Sequence, residues 1–122
     1  MIYGIGVDIV DIERMNDSHM TPFVINRLFH PVEIENIPQQ GKEAYLASRF
    51  AAKEAFVKAL HTGFRKIAPR DICVVNDELG RPHYIFSDNV KDLLPKNLTS
   101  IHLSISHEKH IAIAYTVIEA SM

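Results

Sequence analysis

At 122 residues, 47% hydrophobic and 23% charged, the chain has the size and composition of one folded domain with a single core, which excludes a disordered polymer. No run approaches the roughly eighteen apolar residues of a membrane span, and Met1-Ile2-Tyr3-Gly4 lacks the basic start of a secretory signal, so the sequence predicts a cytoplasmic protein without a membrane partner. The net charge is only -2 and no nucleic-acid partner is expected, yet residues 42–81 hold eight Lys or Arg against five Asp or Glu, as a local anionic ligand would require.

Ile2 to Ile9 predicts a short apolar strand whose Gly4 and Gly6 allow close approach of another element or a ligand, with Asp8 at its exit. A helical turn carrying Asp11, Glu13 and Arg14 follows. Thr21-Pro22 supplies a cap and a first helical position for Phe23 to Leu28, and a second start falls at Pro31 with Glu33 in its first turn. After the loop Pro38-Gln39-Gln40-Gly41, helix formers run without proline or glycine from Lys42 to Leu60, and Gly63 is placed to end that helix in a left-handed cap.

The second half changes character. Ile72 to Val75 and His83 to Phe86 predict two strands of a hairpin turned by residues 76–82, and Cys73 within the first is a small buried hydrophobe. A short helix from Asn89 to Leu94 precedes two closing strands, Ile101 to Ser106 and Ile111 to Ile118. The last is apolar on both faces and should be covered on both sides. The pattern predicts one α+β domain over residues 1–122, mainly antiparallel sheet packed with a long central helix.

Three separated segments carry the candidate chemistry. Glu54 and Lys58 lie four apart on one helix face, either a surface ion pair or part of a polyphosphate site. Arg49 and Lys53 lie one turn apart on the same helix, and Lys53 is open to a phosphate or to solvent. Asp8 is either a carboxylate for a metal ion or the N-cap of the turn that follows. His102, Ser104 and Ser106 alternate onto one face of their strand, and His107 begins the turn beyond.

Taken together, Gly4-Ile5-Gly6-Val7-Asp8-Ile9, the ten-residue run from Arg49 to Lys58 and Ser104-Ile105-Ser106-His107 closely resemble the holo-[acyl-carrier-protein] synthases, 4'-phosphopantetheinyl transferases that carry Gly-Ile-Gly-x-Asp-Ile and Arg-Phe-x-x-Lys-Glu-Ala-x-x-Lys. The resemblance covers nearly the whole chain. It implies transfer of 4'-phosphopantetheine from coenzyme A to a serine of an apo acyl carrier protein. It further implies that Asp8 and Glu54 hold Mg2+ and that Lys58 reaches the phosphates. On the same resemblance Glu54, or an ordered water, would take the serine proton. The resemblance also implies that Arg49 and His107 bind coenzyme A phosphates, and Gly80-Arg81-Pro82 resembles the family's segment near the adenine, although a plain hairpin turn explains it as well.

The same resemblance puts Arg14, Met15 and Arg27 at the carrier-protein interface and implies a homotrimer with coenzyme A between adjacent subunits. Two departures stand out: His61 occupies a position where relatives carry glycine, and His30-Pro31 stands where a threonine is common. A coenzyme A binding module without catalysis and a magnesium-dependent phosphohydrolase are the competing readings.

Overall fold

A computed structural model describes residues 1–122. Strands β1 (Ile2–Asp11), β4 (Leu98–His107) and β5 (Ile111–Ala120) form an antiparallel sheet in the order β1-β5-β4, and β2 (Ile72–Asn76) pairs with β3 (Pro82–Phe86) in a separate hairpin. The helices are α1 (Pro22–Leu28), α2 (Pro31–Glu35), α3 (Lys42–Ala59) and α4 (Asp88–Lys91). The α+β architecture is the one the sequence predicts.

The long helix α3 lies across the three-stranded sheet because its stripe of alanines lets the backbones close. Ala51, Ala52, Ala55 and Ala59 are fully buried, and they face Ala112 and Ala114 of β5 and the glycines of β1. A β-carbon on Gly4 would stand 1.9 Å from the Ala59 carbonyl oxygen, and one on Gly6 would stand 1.9 Å from that of Ala55. The element that approaches these glycines is therefore α3 and not a ligand.

Several local signals are realised as the residues dictate. Thr21 Oγ1 accepts from the Val24 amide at 3.3 Å and caps α1, and Pro22 and Pro31 occupy first-turn positions of α1 and α2. His30 caps α2 by accepting from the Val32 amide through Nδ1, while Glu33 reaches back to the His30 amide, so the His30-Pro31 departure still builds a reciprocal cap. In the turn between β2 and β3, Asp77 Oδ1 accepts from the Leu79 and Arg81 amides, which fixes Gly80 at φ 84°.

Other expectations are corrected. Asp8 does not cap the first turn; that position belongs to Asp11, whose side chain accepts from the Glu13 amide. Gly63 turns left-handed as expected, at φ 59°, but His61 does so first, at φ 69°, and takes the position directly after the end of α3. It is steadied by Nε2 against the Tyr3 carbonyl at 3.2 Å and by its ring against that of Tyr3. The fourth helix begins at Asp88 and ends at Lys91, and β1 runs to Asp11. β5 is covered on one face only: Ala112, Ala114, Thr116 and Ile118 are buried beneath α3, while Ile111 and Tyr115 are exposed on the other. No helix is long and apolar enough to cross a membrane.

Candidate active site

The residues singled out by sequence gather in two groups. The first sits where α3 crosses β1. Lys58 Nζ donates to Asp8 Oδ1 at 3.1 Å and to the Val7 carbonyl at 3.0 Å, which fastens the end of the helix to the edge strand. Asp8 projects from the helix-facing side of β1, two residues beyond the Gly6–Ala55 contact, and its side chain is 16% exposed. Glu54 faces the same place. Burial pushes its carboxyl above the ordinary carboxylate range, and the neighbouring Asp8 charge pushes in the same direction, partly offset by Lys58 and Arg14.

Two part-buried carboxylates gathered at one place form a donor set suited to a hard cation. Mg2+ characteristically takes one or two protein carboxylates and completes its shell with phosphate oxygens and water. Asp8 and Glu54 fit that requirement, with the Lys58 ammonium beside them as a point charge.

The second group lines a cleft of about 690 Å3 between α3, β2, β3 and the end of β4, and it brings together Arg49, Gly80, Pro82 and His107. The Arg49 guanidinium lies 4.4 Å from the centroid of the Tyr45 ring, and Nη2 donates to Asn76 Oδ1 at 3.2 Å. Its Nε is buried without a partner, so a guanidinium lining the cleft keeps most of its donors unspent. Such a cradle suits an anion.

The two groups lie on opposite flanks of α3. Helix geometry puts Glu54 about 140° and Lys58 about 180° round the axis from Arg49. The contacts agree: Lys58 reaches β1, whereas Arg49 reaches the end of β2.

Lys53 is corrected. It faces neither phosphate nor solvent but is wholly buried, as is its partner Glu33, with Nζ donating to Glu33 Oε1 at 2.6 Å and to the Ile72 and Pro69 carbonyls at 2.5 and 3.0 Å. Burial holds its amine below the ordinary lysine range against the pull of Glu33. Met15 is also corrected: at 2% exposure it packs in the core with Phe29 and Leu46 and offers no surface to a partner. Arg14 and Arg27 are exposed, and Arg14 stands close enough to act on Glu54.

Two residues of the cleft, Tyr45 and Asn76, and the buried Glu33 behind it were not singled out as site residues from sequence. Tyr45 carried a usable signal, because an aromatic residue four positions before an arginine on one helix falls beneath it. Asn76 and Glu33 carried none, since their roles depend on contacts across 27 and 20 residues.

The family model described as the 4'-phosphopantetheinyl transferase superfamily matches residues 4–116. The chain belongs to that superfamily. A holo-[acyl-carrier-protein] synthase of Clostridium novyi is 48% identical over 122 residues, covering 98% of this chain and 88% of the relative. Among solved structures, the holo-[acyl-carrier-protein] synthase of Neisseria meningitidis superposes with a TM-score of 0.87 at 38% identity, covering 98% of this chain and 99% of that one. The corresponding synthase of Bacillus anthracis, in complex with CoA (3',5'-ADP), superposes at 0.80 with 35% identity over 99% of both chains. Within this family the chain is a holo-[acyl-carrier-protein] synthase type, matched along its full length rather than at isolated motifs.

Proposed function

We propose that the chain transfers 4'-phosphopantetheine from coenzyme A to a serine hydroxyl of an apo acyl carrier protein and releases adenosine 3',5'-bisphosphate. The observation that carries the reading is the pairing of an anion cleft around Arg49 and His107 with a carboxylate and lysine cluster at Asp8, Glu54 and Lys58, in a chain that aligns with holo-[acyl-carrier-protein] synthases from end to end.

The chemistry follows from the charges. Lys58 offsets negative charge on the phosphorus under attack and on the departing nucleotide. Arg49 and His107 hold nucleotide phosphates at a distance from the reacting centre, so their binding energy orients the pyrophosphate. Glu54, or a water beside it, accepts the serine proton. Asp8 and Glu54 would hold Mg2+, which when bound supplies neutralisation of the pyrophosphate charge. Arg14 and Arg27 present exposed positive charge to an acidic carrier.

The division of the site across α3 supports a homotrimer in which the nucleotide cleft of one copy faces the carboxylate cluster of the next. The open face of the sheet supports it independently. Ile5, Val7 and Ile9 of β1 are 56%, 46% and 59% exposed, Val7 pairs with the exposed Tyr115 of β5, and a patch of this kind on a small domain marks an interface. The protein would work in the cytoplasm, with carriers of the fatty-acid type as acceptors.

Release of nucleotide tests the reaction class. Adenosine 3',5'-bisphosphate should appear from coenzyme A and Mg2+ only when an apo carrier is present. Release without a carrier would make the protein a phosphohydrolase, and coenzyme A binding with no release would make it a binding module.

A further inference from the structure

We propose that Tyr45 is a positioning residue for the Arg49 guanidinium, anchored by the buried Glu33–Lys53 pair, and that it governs affinity for the nucleotide rather than the transfer step. The inference rests on the cleft being the coenzyme A site. Tyr45 precedes Arg49 by one turn of α3, and its ring lies beneath the guanidinium at 4.4 Å. Its hydroxyl donates to the Glu33 backbone carbonyl at 2.7 Å, so the ring is held at both ends.

Glu33 itself cannot drift. Its carboxylate accepts from the His30 amide at 2.9 Å, from Lys53 Nζ at 2.6 Å and from the Val74 amide at 2.9 Å. Lys53 spends all three ammonium protons on Glu33 and on the Pro69 and Ile72 carbonyls. A buried network with every member satisfied is rigid, and this one joins α2, α3 and β2 at a point beside the cleft that β2 walls with Val74, Val75 and Asn76. Asn76 then fixes the guanidinium from the other side through Nη2.

The consequence is entropic. A free arginine loses side-chain freedom when it grips a phosphate, whereas one already laid on a ring and hooked at a single nitrogen has less to lose. Laying a cation on an aromatic face is a contact equivalent to about 3- to 30-fold in affinity. Because the guanidinium covers the ring, Tyr45 acts on a ligand through Arg49.

The test is a double-mutant cycle on the intact protein. Coenzyme A and adenosine 3',5'-bisphosphate are titrated by calorimetry into wild type, Tyr45→Phe, Tyr45→Leu, Arg49→Ala and the Tyr45→Leu/Arg49→Ala double variant, with steady-state kinetics alongside. Tyr45→Leu should weaken both ligands about 10-fold and raise KM for coenzyme A by the same factor, with kcat within about 2-fold. Tyr45→Phe keeps the ring but loses the hydroxyl tie to the Glu33 carbonyl, and should recover only part of the loss. In the Arg49→Ala background, Tyr45→Leu should add less than about 2-fold, because its route to the ligand is gone. A Tyr45→Leu loss undiminished in that background, or a fall in kcat at constant KM, would overturn the positioning role. A wild type that binds neither ligand would instead overturn the nucleotide-site reading on which it rests.

Discussion

Gly6 lies so close to Ala55 that a β-carbon at that position would stand 1.9 Å from the Ala55 carbonyl oxygen, and the obstruction is helix backbone, which cannot swing aside. This contact sets the distance between β1 and α3, and hence between Asp8 and Glu54. Gly6→Ala should therefore cost about 3 kcal/mol and displace the two carboxylates from each other. Thermal unfolding and turnover should fall together, and a variant of unchanged melting temperature and activity would show that the two backbones are free to part.

The wholly buried Glu33–Lys53 pair makes a second prediction. Lys53→Met strands a buried carboxylate and should destabilise by about 3–5 kcal/mol, whereas Lys53→Met combined with Glu33→Leu should recover part of that loss. Denaturant unfolding of the wild type and the two variants decides it. A Lys53→Met protein of normal stability but weakened coenzyme A binding would return Lys53 to the phosphate site.

Glu54 carries a stability penalty that has a sign. Its carboxyl is held above the ordinary value by burial and by Asp8, so the folded state keeps the proton after the unfolded chain has released it. Stability should fall as pH rises from the ordinary carboxylate range through the raised value, and the penalty should then stay constant. Glu54→Gln should flatten that dependence and raise the melting temperature at neutral pH, while cutting turnover at least about 100-fold. Melting curves against pH check the first part, and an unaltered pH slope would contradict it.

If the open sheet face joins copies of the chain, a charge at its centre should separate them. Tyr115→Glu should convert the trimer to single chains by light scattering and abolish transfer, although none of the candidate catalytic side chains is touched. Mixing Arg49→Ala with Lys58→Ala should restore activity that neither has alone, because one pairing of copies then holds an intact site. An active Tyr115→Glu single chain would contradict the shared-site arrangement.

Much of this was legible along the chain. The unbroken helix formers from Lys42, the Thr21-Pro22 cap and the turn residues around Gly80 each specify local structure that tertiary contacts leave in place. Lys53 was not legible, since its burial depends on a carboxylate twenty residues away, and Met15 was not, because a short turn offers no periodicity to say which residue faces inward. His61 was hidden by the glycine two residues later, which sequence favours for a left-handed conformation and which adopts one; contacts with Tyr3 steady the histidine in the same conformation ahead of it. The apolar character of both faces of β5 was legible, but the single chain covers only one of them.

The most direct test is the mass of the carrier. Incubated with the protein, coenzyme A and Mg2+, an apo acyl carrier protein should gain one phosphopantetheine on its serine, and Glu54→Gln and Lys58→Ala should each suppress the gain. A carrier that stays at its apo mass with several acceptors, while coenzyme A remains bound, would contradict the transferase account.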